Sequence, residues 1–348
     1  MKKVAAVAAL AGALAFAGQA GAQDLNTKQF KVAGTFGNLT NWNAIEKPFW
    51  AETMPKASGG KITAQATPFT ELGLKGSELM RLVKLGVFDV VHALPIYFAE
   101  DPAIEGIDIA GLVKDFGTAR KVADAYLPVL DDLLQKKYGA KILNHYSFPA
   151  QSFYCRGDIK TVSDLKGKKV RVQGASQGDL VEGLGGTSVT ITFAEVVPAL
   201  EKGAVDCGIT GTMPAYKAKW WQVTNTNFYM PVGYTIVVTA ISLNSWNALN
   251  KPTQDFIAKQ MKDLENHAWK TVEAESDEGI ACNTGVGKCG QGDPAKLAHV
   301  KPGDADLKER DRVLKEVVLK RFAQRCGADC TKKWNDTVGK IVGMQAGG

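Results

Sequence analysis

A two-lobed α/β fold braced by a long amphipathic helix is the architecture this sequence predicts. Three observations predict it. Thr161 to Thr212 alternates short β-branched strands with helical stretches and glycine breaks in a βαβαβ order. The chain beyond the N-terminal leader is longer than one hydrophobic core usually supports, so two lobes are expected. An apolar stripe of Ile257, Met261, Leu264, Ala268 and Val272 marks one face of a long helix opened by Pro252 and running to about Asp277.

The chain begins Met1-Lys2-Lys3, followed by an apolar, small-residue run to Ala22 broken only by Gln19. Ala20-Gly21-Ala22 has the small-x-small form of a signal-peptidase site. Residues 1–22 therefore read as a cleaved signal peptide, and the mature protein as periplasmic. The run is too rich in Ala and Gly for a membrane span, which wants ~20 strongly apolar residues. The net charge is +6, of which Lys2 and Lys3 of the leader carry two. What remains helps attract anions but is too small to argue for nucleic acid.

Phe30–Gly34 reads as the first strand, followed by an Asn- and Thr-rich loop over Thr35–Asn43 and a helix from Ile45 to Lys56. Pro48 fits that helix only in its first turn. Gly59-Gly60 stops it, and Ile62–Ala66 and Phe88–Ala93 are strands flanking a helix that ends at Leu85. Tyr97 follows the second of these on a loop, either facing a cleft or packing with its hydroxyl wet. A helix spans Ala119–Lys137, with Thr118 as N-cap candidate and a kink expected at Pro128. Lys141–Phe148 and Gln151–Arg156 are the next strands. Lys217–Phe228, carrying Trp220 and Trp221, precedes a return strand, Tyr234–Ile241, and Leu307–Arg325 forms a further helix.

Within the central stretch, the strand Lys169–Val172 alternates so that Arg171 points away from the face of Val170 and Val172. An Arg in such a run is expensive to bury unless an anion pairs with it, and its planar fork suits a carboxylate. Backbone N–H groups at the helix start after Gln173-Gly174 could lie nearby. Two further strands, Ser188–Thr192 and Val205–Ile209, flank Phe193 and the helix Glu195–Lys202.

Leu165-Lys166-Gly167, Lys169-Val170-Arg171-Val172, Phe193-Ala194-Glu195-Val196, Ala199-Leu200 and Gly203-Ala204-Val205-Asp206 stand in this order. Together they resemble the signature of DctP-type solute-binding proteins, the extracytoplasmic receptors of tripartite ATP-independent periplasmic (TRAP) transporters. The resemblance extends over nearly the whole mature chain. It implies a two-lobed α/β periplasmic binding protein with mixed sheets, a hinge and a long helix spanning both lobes, with 28–147 plus 234–275 as lobe I and 148–233 plus 276–345 as lobe II. It implies a monomeric receptor that delivers an organic acid to membrane permease subunits. Arg171 would clamp the ligand carboxylate, and Gln151 takes the place of a second ligand contact. Where many relatives carry an Asn four places after the Asp, this chain has Thr210, which tilts the expectation toward a less polar acid, aromatic or a short keto or hydroxy monocarboxylate. Phe193, at a strand end, is either a ring against the ligand or plain core. Asn41 and Trp42 are expected to close over the ligand from the first lobe, with Tyr97 and Tyr234 as walls. Arg156 is a further candidate, with a surface ion pair beside Asp158 as the alternative.

The six cysteines fit an exported, oxidising setting. Spacing suggests Cys282–Cys289 and Cys326–Cys330, and Cys155 and Cys207, in strands of one lobe, make a third pair. There is no C-x-x-C redox pair, no metal-ligand spacing among His92, His145, His267 and His299, no Walker loop and no G-x-S-x-G. No cofactor, no metal and no catalytic residue are expected. The rival readings are a binding protein of an ABC importer or sensor, and an exported two-lobed enzyme working through Cys155 and Cys207.

Overall fold

The computed structural model describes residues 24–98 and 100–347; the leader at 1–22 lies outside the described residues. Two mixed sheets organise them. In chain order the strands are β1 (Lys28–Gly34), β2 (Ile62–Pro68), β3 (Val90–Ala93), β4 (Ala140–Ser147), β5 (Gln151–Cys155), β6 (Lys169–Val172), β7 (Thr187–Thr190), β8 (Cys207–Gly211), β9 (Thr226–Gly233), β10 (Ile236–Ser242) and β11 (Ala298–Val300). The first sheet has the order β2-β1-β3-β10-β4 and the second β11-β9-β5-β8-β6-β7. β1 lies parallel to β2 and β3, whereas β10 runs antiparallel to β3 and β4. In the second sheet β6 is parallel to β7 and β8, and β5 is antiparallel to β8 and β9.

The chain crosses between the sheets three times: from β4 to β5, from β9 back to β10, and along the helix Lys251–Thr284. The first two crossings lie side by side, joined where the Phe148 N–H donates to the Thr235 carbonyl at 2.8 Å. The long helix extends about two turns past the expected Asp277, so that Cys282 lies inside it and pairs with Cys289 beyond its end. Asn250 caps its start, accepting from the Thr253 N–H. Cys155 and Cys207 face each other across β5 and β8, with Cα atoms 4.0 Å apart, and are bonded. Cys326 and Cys330 form the third pair.

Some local expectations are corrected. The helix over Phe116–Tyr138 is capped by Asp115, not Thr118, because the Asp115 carboxylate accepts both the backbone N–H and the hydroxyl of Thr118. Pro128 does not break it. Tyr126 and Leu130 on either side are fully buried, and Tyr126 donates to the Ala103 carbonyl, so packing outweighs the ~3 kcal/mol that an interior Pro costs. Thr226–Gly233, where no strand was expected beyond the preceding segment, forms β9 between β5 and β11. The C-terminal helices from Asp304 first pack on the helix Ala175–Gly183 and then reach the 116–138 helix, with Trp334 Nε1 donating to the Gly106 carbonyl. Among the described residues no helix is long and apolar enough to cross a membrane.

The long helix meets the short helix Thr212–Lys217 at Gly279, where backbones touch directly: an added Cβ would collide with Thr212 and Met213 backbone atoms. Gly279→Ala is therefore expected to cost about 1–3 kcal/mol through overpacking, read as a drop of several degrees in Tm. An unchanged Tm would show that this contact does not fix the helix.

Candidate functional site

Strand ends from both sheets converge on one cavity between the lobes. The first lobe contributes Phe36 and Leu39 after β1, Leu94 and Tyr97 after β3, and Phe148 after β4. The second contributes Gln151 at the start of β5, Gln173 after β6, Phe193 after β7 and Thr210 in β8, and Thr235 belongs to the crossing strand pair. Open α/β sheets bind ligands at such carboxyl ends. The lobes meet across it: Phe36 and Phe193 are edge to face at 5.2 Å, and the cavity between them is about 20 Å³, roughly one water.

Arg171 lies beside this cavity and is fully buried. β6 turns it away from the face of Val170 and Val172, toward β7 and β8. Its Nε donates to the Ile191 carbonyl and its Nη1 to the Ile209 carbonyl, both at 2.9 Å. Its guanidinium carbon sits 5.9 Å from the Trp220 ring centre, a cation–π contact. Nη2 has no hydrogen-bond partner, and among the described residues no carboxylate pairs with the group. The Tyr97 hydroxyl, from the opposite lobe, approaches the group closely enough to lend hydrogen-bond as well as Coulombic stabilisation, without the geometry of a full hydrogen bond to Nη2. Burial draws the Arg171 pKa down, opposed by Tyr97, and pushes the Tyr97 hydroxyl up, opposed by Arg171.

Trp220, which sequence reasoning left out of the site, supports two of its members. It stacks on Phe193 at 5.8 Å with the rings 28° apart, and it underlies Arg171. Gly208 makes room for it: an added Cβ there would come within 2.7 Å of the indole. Nothing local in the sequence links Trp220 to Arg171, since some fifty residues of chain, including β7 and β8, separate two side chains that meet directly in the fold.

Of the residues singled out from sequence, Tyr97, Gln151, Phe193 and Thr210 line the cavity and Arg171 adjoins it. Asn41, Trp42, Arg156 and Tyr234 are not among its walls. Asn41 donates to the Ser147 carbonyl, and Trp42 packs over Gly34, so both fill lobe I beneath the cleft. Tyr234 packs edge to face on Phe116 at 5.3 Å. Arg156 follows the far end of β5, roughly 16 Å along the strand from Gln151, and is exposed. Away from the site, Asp124, His145 and Glu265 place ligand-capable atoms within 4.8 Å of one another, which sequence spacing did not reveal. They are already engaged, His145 with Asp124 and Glu265 with Arg120 and Lys262.

A small cavity between two sheet-based lobes, tied by crossing strands and a shared helix, defines a binding protein that takes a small solute between its lobes. The model of the DctP family, bacterial extracellular solute-binding protein family 7, matches residues 40–283, and the chain belongs to that family. It is an extracytoplasmic solute receptor of the TRAP type. Among curated relatives, it is 28% identical over 238 residues to the sialic acid-binding periplasmic protein of Vibrio cholerae, covering 65% of this chain and 72% of that one. It is 30% identical over 219 residues to a monocarboxylate 2-oxoacid-binding periplasmic protein of Nostoc, covering 59% and 57%. Its fold matches a Bordetella pertussis extracytoplasmic receptor solved with pyroglutamic acid, with a TM-score of 0.77 at 19% identity over 89% of this chain and 99% of that one. It also matches a sugar acid binding protein of Advenella mimigardefordensis solved in complex with galactonate, with a TM-score of 0.79 at 17% identity over 91% and 100%.

The helical turn Asn41–Glu46 under the cleft is held by Glu46, which accepts from the Thr35 N–H at 2.7 Å, from the Thr35 hydroxyl at 2.6 Å and from the Tyr146 hydroxyl at 2.8 Å. Burial is the largest influence and raises the Glu46 pKa to about 7. A carboxyl whose folded pKa is raised stabilises the fold below its unfolded value and loses that contribution as pH rises through the folded one. Glu46→Gln should therefore gain on the parent between pH 5 and pH 8, with the Tm difference moving by several degrees in the variant's favour. A Tm difference independent of pH would show that Glu46 is not the titrating group.

Proposed function

We propose that the solute is a small organic monocarboxylate anchored by Arg171. The carrying observation is a buried cation with two nitrogens held by strand carbonyls and the third without a partner. An unpaired buried charge is costly, and a ligand carboxylate would supply both the counter-charge and the missing acceptor. Two carbonyl bonds and the Trp220 face fix the guanidinium before the ligand arrives, so little ordering cost falls on binding. Relatives named for sialic acid and for 2-oxo monocarboxylates also bind acids, which supports the same ligand class.

The rest of the site favours a modest, partly flat molecule. Phe36, Phe148 and Phe193 give apolar walls, and Thr210 and the glutamines give a few polar contacts. Binding works by population shift: the open receptor exposes Arg171, and the ligand favours the closed form by touching both lobes at once. Tyr97 reaches Arg171 from the first lobe, so closure completes the carboxylate's surroundings and excludes water. The closed receptor would then deliver the acid to membrane permease subunits.

Arg171→Lys keeps the charge but cannot hold both carbonyls and a carboxylate in one plane. Titration calorimetry with an acid that stabilises the parent should show binding weakened about 30-fold or more. Retained affinity in a folded Arg171→Lys protein would refute the anchor.

A further inference from the structure

Four residues from three segments close a hydrogen-bond ring beside the cavity. The Gln177 Nε2 donates to Gln151 Oε1 at 2.9 Å, and Gln151 Nε2 donates to the Thr235 hydroxyl. The Thr235 hydroxyl donates to Gln173 Oε1 at 3.0 Å, and the Gln173 backbone N–H closes the circuit on Gln177 Oε1 at 2.9 Å. Gln151, Gln173 and Thr235 line the cavity, while Gln177 is buried behind them. Every side-chain oxygen in the ring already accepts one hydrogen bond. The Gln173 amide, its oxygen fixed by Thr235, keeps both N–H donors, and among the described residues nothing accepts from them.

We propose that Gln173 selects the solute by donating to a neutral oxygen, a carbonyl or hydroxyl, so that the receptor takes monocarboxylates carrying such an acceptor. The inference rests on the carboxylate reading of Arg171 and deepens it. The ring offers unpaired donors, and among the described residues the cavity walls include no Asp or Glu, so an ammonium group on the ligand meets no counter-charge. It carries no charge, and among the described residues the cavity walls include no Lys, Arg or His. A second carboxylate would be buried against Phe36, Leu39, Leu94 and Phe148 without a counter-ion, at high cost. An acid with no acceptor leaves the Gln173 donors desolvated and unpaired, which sites built around hydrogen bonds reject strongly. Gln177 is a positioning residue: it touches Gln151 and the Gln173 backbone and fixes where the donors point.

The test is titration calorimetry of the mature protein with matched probes: 2-oxopentanoate against pentanoate, pyroglutamate against cyclopentanecarboxylate, and glutarate as the dicarboxylate. The parent should bind the oxygen-bearing member of at least one pair about 10-fold more tightly than its apolar partner, and glutarate more weakly than that member. Gln173→Met should bring the two members together by weakening the oxo acid while leaving the apolar acid unchanged. Gln173→Glu keeps an oxygen for Thr235 but loses the donors, and should abolish the preference too; it serves if the Met variant misfolds. A preference that survives both variants, an equal loss for both members, or tighter binding of glutarate would overturn the proposal. Arg171→Lys separates the two claims: loss of every acid leaves the carboxylate anchor standing even if selection fails, whereas retained binding removes the anchor itself.

Discussion

A guanidinium held inside a sheet without a carboxylate partner is the constraint around which the second lobe is arranged. Keeping Arg171 charged there requires carbonyls at the ends of neighbouring strands, which Ile191 and Ile209 supply, and a polarisable face, which Trp220 supplies. Trp220 in turn requires a residue without a side chain on β8, and Gly208 stands there. The Cys155–Cys207 bond then ties β5 to β8 one residue from that glycine. The parallel order β8-β6-β7 sends three strand ends to one edge, so the arginine, Phe193 and Thr210 arrive together.

The first lobe meets this edge mainly with hydrocarbon. Phe36 against Phe193 and Tyr97 near Arg171 bridge the lobes, and the crossing strands bring Gln151 and Thr235 to the same place. A charge-bearing wall thus faces an aromatic one, with a neutral amide ring at the side. One cation matches one anion, and the remaining polar groups are donors. This asymmetry favours a solute with one charged end and one neutral polar feature. The amide ring joins residues of β5, of the segment after β6 and of the crossing at Thr235, so it ties the second sheet to the chain crossing between the lobes.

Much of this was legible in the sequence. Arg171 stood out because a strand's two-residue period set it apart from its valines, and the long helix followed from its apolar stripe, while the mixed sheets followed from the family resemblance. The cysteine pairs followed from spacing and strand placement. What escaped reading was non-local. Trp220 meets Arg171 only once the chain between them has folded, and Gln173 and Gln177 become a device only when Thr235, some sixty residues on, closes the ring. Asn41 and Trp42 looked exposed on a loop, but a helical turn anchored by Glu46 directs them inward. Pro128 and the Asp115 cap show packing and a competing carboxylate overriding local preference.

The central claim is that the open valence of Arg171 belongs to the solute, and a crystal structure with a bound monocarboxylate tests it most directly. The account predicts a carboxylate oxygen at about 2.7–2.9 Å from Nη2 of Arg171, with the carbonyls of Ile191 and Ile209 still accepting from Nε and Nη1. A complex in which Nη2 bonds to protein while the carboxylate rests elsewhere would contradict it.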